Sequence, residues 1–284
     1  MAKQRRDIAQ EITDKFIAII EEGKLSGKWQ RGWNLSNDLP TNIETGKVYR
    51  GMNFMLLAMM GGGEWGTYKQ WQTKGAQVRK GEKGVGIIRP LMGKDKKTDE
   101  TRIFGWAAAT VFAAHQVDGY EVEQVEAKPF DNNEMAEAIV TANQIDVRHG
   151  GNRAFYVPSQ DFVQMPNKDQ FHSEAEYYST LLHEAAHWTG HADRLDRKLD
   201  TGRFGDESYA FEELVAELAS CFLSAHTGVH IGFNENHAKY IDGWLKIMKG
   251  DKNAVITASS KAQAAVDMLL DKAEEKEETV KEAA

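Results

Sequence analysis

Cysteine is nearly absent from this 284-residue chain, with Cys221 as the single example. One cysteine excludes an intrachain disulfide and any cysteine-rich zinc site. The chain also lacks the roughly 20 consecutive apolar residues that a membrane-spanning helix needs; its longest apolar-looking run, Phe104 to Ala114, is too short and rich in small residues. These absences predict a protein without membrane segments that works in a reducing cytoplasm.

The amino terminus combines basic and apolar residues but is not a signal peptide. Charged side chains interrupt the apolar ones at Asp7, Glu11, Asp14 and Lys15. A signal peptide requires an unbroken apolar core. The apolar residues instead recur at helical spacing, which predicts an amphipathic helix.

Charge is unevenly distributed along the chain, although the formal net charge is only −8. Residues 1–127 carry 19 Lys and Arg against 16 Asp and Glu, a net +3, whereas residues 128–284 carry 16 against 27, a net −11. Within Lys47 to Arg102 the balance is 12 against 5, a net +7. This asymmetry predicts two domains with different partners, divided at a polar segment near Ala127.

The two halves also differ in their expected structure. The first half mixes short helices, near Met52 to Met60 and Thr67 to Lys74, with two long strand candidates, "VGIIRPLM" and "TRIFGWAAATVF". The second half is dominated by helical patterns, with short strands at "RAFYVP" and "QDFVQMP". Its later helices are expected at about Ser173 to Trp188, Tyr209 to Thr227, His237 to Lys249 and Asn253 to Lys276. We therefore expect an α+β fold of two domains, a small α+β domain and a mainly helical domain with a short sheet.

The stretch "HEAAH", from His183 to His187, matches the pattern H-E-x-x-H. On a helix the two histidines are about one turn apart, so both rings can bind the same metal ion. Glu184 lies beside them, where a general base for an attacking water belongs. The alternative is a chance match on a solvated helix face, but the amphipathic flanks favour a buried metal site.

A third metal ligand is needed, and the sequence offers several candidates. Asp193 and His191 follow closely, whereas the helical stretch "YAFEELVAELASCFL" carries Glu213 and Glu217 one turn apart. In zincins with a glutamate ligand, the first carboxylate binds the metal and the second holds the free ring nitrogen of a histidine ligand. We prefer Glu213 as ligand and Glu217 as its supporting residue, with Glu212 and Asp193 as alternatives. The site is expected to hold one divalent ion, zinc by preference and manganese as the alternative.

The first half interleaves cations with aromatic side chains, a composition that suits single-stranded nucleic acid. Planar rings can stack on bases while Lys and Arg neutralise phosphates. Considered one at a time, each tryptophan is better explained as a core residue, but the segment as a whole, with its net +7, favours nucleic acid. The predicted DNA-binding residues are Lys47, Arg50, Lys69, Trp71, Lys74, Arg79, Lys80 and Lys83.

Both halves together resemble the ArdC-type antirestriction proteins of plasmids and phages. The stretches "PTNIETGKVYRGMNFMLL" and "TYKQWQTKGAQVRKGEKG" are similar to the single-stranded-DNA-binding domain of that family. The stretches "TLLHEAAHWTGHADRLDR", "YAFEELVAEL" and Tyr240 to Ala265 resemble its zincin-like metallopeptidase domain. The resemblance covers nearly the whole chain.

The polar segment near Ala127 divides the chain into domains at 1–127 and 128–284. The resemblance implies His183 and His187 as metal ligands and Glu184 as catalytic base. It favours Glu213 or Glu212 over Asp193 as third ligand. It also implies sequence-independent binding of single-stranded DNA and protection of incoming DNA from host restriction, with a protein substrate or a restriction enzyme as further partner.

Two other functions are compatible with parts of the sequence. The protein could protect DNA simply by covering it, with a metal site that is structural or not required. A metal-dependent nuclease is the third candidate, but nucleases usually use carboxylate-rich sites for two metal ions, and the two histidines argue against it.

Overall fold

The computed structural model describes residues 7–25, 39–60, 62–94, 101–121, 132–199, 207–229 and 241–282. They form two compact units, one built from residues 7–16 and 39–121 and the other from 17–25 and 132–282. The expected α+β architecture of two domains is confirmed. The predicted boundary at Ala127 lies outside the described residues.

The first unit is built around a four-stranded sheet. Helix α1 (Ile8–Leu25) begins in this unit, followed by β1 (Thr41–Asn42), α2 (Gly51–Met59), β2 (Glu64–Thr67), α3 (Tyr68–Thr73), β3 (Gln77–Val78), β4 (Val85–Lys94), β5 (Thr101–Ala113) and β6 (Val117–Asp118). The sheet order is β1-β2-β5-β4, with β1 parallel to β2 and the other pairs antiparallel. Strands β3 and β6 form a separate antiparallel pair.

Two buried clusters hold this unit together. Trp65 packs with Leu57, Val85, Ile87 and Val111, and its indole N–H donates to the Gly62 carbonyl at 2.8 Å. The second cluster contains Trp71 with Ile43, Ala76, Val78 and Val117. Burying two tryptophans with their N–H groups satisfied gives a small unit a substantial apolar core.

The second unit is mainly helical. It contains α4 (Asn132–Ala142), β7 (Asp146–His149), β8 (Phe155–Val157), β9 (Phe162–Met165), α5 (Glu174–Trp188), α6 (Glu207–Thr227), α7 (Ile241–Gly250) and α8 (Ala254–Glu282). Its sheet has the order β7-β9-β8. Helix α6 packs against α5 on one side and α8 on another, so it lies in the centre of the helical core. None of the helices in the described ranges is long and apolar enough to span a bilayer.

Candidate metal centre and nucleic-acid interface

Helix α5 carries the H-E-x-x-H motif in the interior of the second unit. Its start is fixed by Ser173, whose hydroxyl accepts a hydrogen bond from the backbone N–H of Glu176 at 3.2 Å. Leu181, Leu182 and Ala185 of this helix are buried, which draws the neighbouring histidines into the protein. His183 is only 8% exposed.

Helix α6 supplies the carboxylates that face these histidines. Glu213 and Glu217 are 7% and 5% exposed. Such burial is rare for glutamate unless a cation or several donors lie close by. One ligand atom from each of His183, His187 and Glu213 can be chosen so that all lie within 4.8 Å of one another. Nε2 of His183 lies 3.8 Å from Oε2 of Glu213, and Nε2 of His187 lies 3.5 Å from Oε1 of the same carboxylate.

The other ring nitrogen of each histidine faces a different carboxylate. Nδ1 of His187 lies 3.2 Å from Glu212, and Nδ1 of His183 lies 3.6 Å from Glu217, slightly beyond hydrogen-bonding distance. A carboxylate on Nδ1 holds the N–H there and leaves Nε2 as the metal-binding atom. The Nε2 atoms of both histidines therefore face the same position, where a metal ion could bind.

Arg197 completes this arrangement, and the sequence did not indicate it. The Arg197 side chain is 3% exposed. Its Nε and Nη2 donate to the Glu212 carboxylate at 3.0 and 2.8 Å, while Nη1 and Nη2 donate to the Thr189 hydroxyl and the Ala186 carbonyl at 2.8 and 2.7 Å. The guanidinium thus ties Glu212 to the end of α5. Its only signal in the sequence is one cation among several in "RLDRKLD".

The electrostatics of the site favour a cation. Burial by itself lowers the pKa of His183, but the interaction with Glu217 and the charges of Glu184 and Glu213 outweigh it and raise the pKa to about 9. Burial raises the pKa of Glu212, yet its hydrogen bonds with His187 and Arg197 lower that pKa below the ordinary value. Two imidazole nitrogens, one carboxylate and a surplus of negative charge are a donor set that fits a divalent ion such as Zn²⁺ or Mn²⁺.

The remaining sequence candidates lie elsewhere. Asp193 extends into solvent with 88% of its side chain exposed, and its nearest ionic neighbour is His191 at 3.6 Å. Glu212 is engaged by Arg197 and by the Nδ1 side of His187. Glu213 is thus the carboxylate that joins the two histidines, and Glu184, 8% exposed, lies between them on α5.

The predicted DNA-binding residues fall into three groups: six exposed cations, one exposed arginine that already has acidic partners, and one buried tryptophan. Most are exposed on the first unit, where a strand of nucleic acid could reach them. Arg79 is exposed, but its guanidinium donates to Glu82 at 3.0 Å and also to the His115 carbonyl, and lies 3.5 Å from Asp118. The six other exposed cations are Lys47, Arg50, Lys69, Lys74, Lys80 and Lys83.

Trp71 is incompatible with the stacking role expected for it. Its side chain is 0% exposed, its indole N–H donates to the Phe112 carbonyl at 2.9 Å, and its ring meets Tyr120 edge-on at 5.1 Å. A base cannot reach a ring enclosed in this way. Trp71 is a core residue of the first unit, and it leaves the set of proposed DNA contacts.

Comparison with known proteins gives a family match for each half of the chain. Residues 6–148 match the family described as the N-terminal domain of anti-restriction factor ArdC. Residues 134–261 match the zincin-like metallopeptidase family. The crystal structure of the metal-free antirestriction protein ArdC from plasmid R388 is 37% identical, with a TM-score of 0.78 over 95% of this chain and 99% of that one.

The chain belongs to the ArdC family of antirestriction proteins. Its second domain has the zincin-like fold of that family. The ArdC protein from R388 has also been solved in an Mn(II)-bound form, which is 37% identical to this chain with a TM-score of 0.77. The protein y4eC of Sinorhizobium fredii (strain NBRC 101917 / NGR234) is 36% identical over 93% of this chain and 91% of its own length.

ArdC-like sequence also occurs within larger proteins. Two proteins of Escherichia coli named DNA primase TraC are 36% and 37% identical over 95% and 91% of this chain. The chain spans only 28% and 19% of their lengths. The common segment is therefore a module that larger chains incorporate.

Proposed function

We propose that this ArdC-family protein protects incoming DNA from host restriction in the recipient's cytoplasm by joining two activities. The first domain binds single-stranded DNA without regard to sequence, and the second is a metallopeptidase that acts on a protein partner associated with that DNA. The observation that carries the second activity is the buried convergence of His183, His187 and Glu213, with a carboxylate behind each histidine.

In this proposal His183, His187 and Glu213 hold one divalent ion, zinc by preference and manganese as the alternative. Such an ion polarises a scissile carbonyl and makes water a better nucleophile near neutral pH. Glu184 takes a proton from the attacking water and later delivers it to the leaving amine. Glu212 and Glu217 keep the imidazole rings oriented.

The DNA-binding half of the proposal rests on the six exposed cations named above and on the match to the ArdC N-terminal domain. Cations on an exposed surface attract the phosphate backbone irrespective of base sequence. The partner cleaved or bound by the second domain would be a restriction enzyme or another protein on the transferred strand.

The test is antirestriction by Glu184→Gln. Transfer of an unmodified plasmid into a restricting host is compared for the wild type, Glu184→Gln and the matched control Glu134→Gln, an exposed glutamate on α4. Losing a general base costs about 10²- to 10⁴-fold in rate, so Glu184→Gln should lose protection while still binding metal and DNA, and Glu134→Gln should retain it.

Full protection by a metal-loaded Glu184→Gln variant would contradict the peptidase role. It would favour the alternative function, a protein that protects DNA by covering it and whose metal site is structural.

A further inference from the structure

Strands β4 and β5 extend beyond the four-stranded sheet as a two-stranded ribbon. Strand β2 pairs with β5 at Val111, Phe112 and Ala113, whereas β4 and β5 remain paired as far as Lys94 and Thr101. Among the described residues, β4 is thus the one strand that pairs with the outer part of β5. We call residues 88–94 and 101–108 the ribbon; its pairing shifts register at a bulge between Leu91 and Met92.

The ribbon exposes large apolar side chains. Leu91 is 42% exposed, Met92 58%, Phe104 55% and Trp106 58%. Within the described ranges, these are four of the seven large hydrophobic residues that are exposed to this degree. An exposed tryptophan and phenylalanine close together on a narrow element, with little core beneath them, are typical of a surface that contacts a partner.

The charge of the ribbon indicates the chemistry of that partner. Arg89, Lys94 and Arg102 are exposed along it, and β4 and β5 contain no Asp or Glu. Residues 95–100, "DKKTDE", carry charges of both signs but lie outside the described residues. Two paired strands that carry cations and no carboxylates favour a polyanion over a cationic or purely apolar partner.

The aromatic side chains add planar surfaces to those cations. Trp106 lies opposite Pro90 in the register of the ribbon, and the guanidinium of Arg102 lies over the Phe104 ring, 4.9 Å from its centre. Exposed rings combined with Arg and Lys are how proteins bind single strands, because bases stack on the rings while the cations meet phosphates.

We propose that the ribbon binds the single strand, with Trp106 and Phe104 as stacking platforms for bases. Arg102, on the same face of the ribbon as both rings, pairs with a phosphate beside the stacked bases. Arg89 and Lys94, on the other face, add to the positive potential that attracts the strand. This inference rests on the proposed binding of single-stranded DNA and assigns it a surface that the sequence did not indicate. Stacking belongs to Trp106 and Phe104 on the ribbon, since Trp71 lies in the core.

The experiment measures binding of the full-length protein to a labelled oligothymidylate by fluorescence anisotropy across a salt series. Trp106→Ala and Phe104→Ala should each weaken binding by about 5- to 150-fold, the range expected for one stacked base. The salt slope should not change, because no charge is removed. Trp106→Tyr, which keeps a planar ring, should restore most of the affinity.

Met92→Ala is the matched control, since Met92 is as exposed as Trp106 but cannot stack. It should weaken binding much less than Trp106→Ala does, because it removes no planar ring. Arg102→Ala should weaken binding and also make the salt slope shallower, because it removes a cation that neutralises a phosphate. Circular dichroism of each variant checks that the fold is retained.

The outcomes separate this inference from the proposed function. If the wild type does not bind the oligothymidylate, both are wrong. If the wild type binds and Trp106→Ala binds equally well, the ribbon is not the interface while single-strand binding stands. If Trp106→Tyr and Met92→Ala lose the same substantial amount of affinity for the oligothymidylate, a planar ring gives no advantage. The contact would then be merely apolar, and stacking would be overturned. A change of oligomeric state in Trp106→Ala, at unchanged DNA affinity, would assign the ribbon to a second copy of this chain.

Discussion

At the scale of single residues, Glu212 and Glu213 are adjacent in the chain but face different atoms of the histidines. Glu213 faces the Nε2 side of both rings, and Glu212 faces Nδ1 of His187. The sequence left both open as third ligand because adjacent residues on a helix differ by about 100° in direction. Which one points at the metal depends on how α6 is rotated against α5.

Replacing each of these glutamates with glutamine should separate their roles. Glu212→Gln should weaken Mn²⁺ or Zn²⁺ binding by about 10- to 100-fold, the usual effect of losing a partner behind a ligand. Glu213→Gln should weaken metal binding by more, because it removes the proposed third ligand. Isothermal titration calorimetry of the two variants measures this order, and the reverse order would exchange the two assignments.

Arg197 should matter for metal binding although it touches no metal ligand directly. Arg197→Lys keeps the charge but loses the paired donors that grip Glu212, so Glu212 should no longer hold His187 in place. We expect a fall in metal affinity of about 10- to 100-fold in a protein that still folds, measured by the same calorimetric titration.

Arg194→Lys provides the matched control for Arg197→Lys. Arg194 lies in the same loop, is 11% exposed, and binds Asp161, Tyr156 and the Trp188 carbonyl. Arg194→Lys should cost stability but leave metal affinity unchanged. Equal falls of metal affinity in both variants would mean that loop packing, rather than the interaction with Glu212, is responsible.

At the scale of elements, periodic patterns predicted the long segments well. The two expected strands became β4 and β5, and the expected helices near residues 52–60, 67–74 and 173–188 became α2, α3 and α5. The short strands β2 and β7 were missed because four residues do not establish a period. Part of the helix expected from His237 lies outside the described residues.

Burial of individual aromatics could not be predicted, because period and composition do not say which face of a strand or helix meets the core. Trp71, expected at the surface, is enclosed by a cluster that includes Ile43, Val78 and Val117. Trp106, which belongs to an apolar-looking run, is exposed because this part of β5 extends past the end of β2 and pairs only with β4 among the described strands. Tertiary context decided both outcomes.

The turn between β8 and β9 should make the second domain sensitive to acid. Asp161 has a positive φ of 53°, and its carboxylate accepts hydrogen bonds from Tyr156 at 2.7 Å and Arg194 at 2.9 Å. The hydrogen bond from Arg194 lowers the pKa of Asp161 more than burial raises it, so the pKa lies below its ordinary value of 3.8. The ionised form therefore stabilises the fold above that ordinary value, and the contribution is lost as pH falls through the lower folded pKa.

Asp161→Asn tests this contribution, because asparagine tolerates the same backbone conformation without the charge. At neutral pH we expect a loss of about 1 kcal/mol in the free energy of unfolding, modest because the side chain is 42% exposed. The difference from wild type should close as the pH falls through the lowered pKa of Asp161 in the folded protein. Urea unfolding followed by far-ultraviolet circular dichroism measures it. A difference that persists in acid would point to a changed turn shape rather than to the missing charge.

At the scale of the whole molecule, the two halves of the sequence carry opposite charge. Residues 1–127 have a net +3 and residues 128–284 a net −11. A uniformly acidic protein would repel a phosphate backbone. With this distribution, the positively charged first half can still attract that backbone. The position of a cation, rather than the total charge, should therefore control DNA binding.

Two pairs of substitutions with the same change in net charge test this expectation. Lys69→Glu with Lys80→Glu alters exposed residues of the first domain, and Lys261→Glu with Lys272→Glu alters exposed residues of α8 in the second. The first pair should weaken single-strand binding and flatten the dependence of log K on log salt by about 0.7 for each phosphate that is no longer neutralised. The second pair should change neither quantity beyond a small long-range effect, since salt largely screens a charge that does not contact the strand. If both pairs weaken binding equally, net charge governs the affinity and the first domain has no dedicated DNA surface. If only the Lys69→Glu and Lys80→Glu pair weakens it, the strand is held by the first domain, and the acidity of the second domain is tolerated.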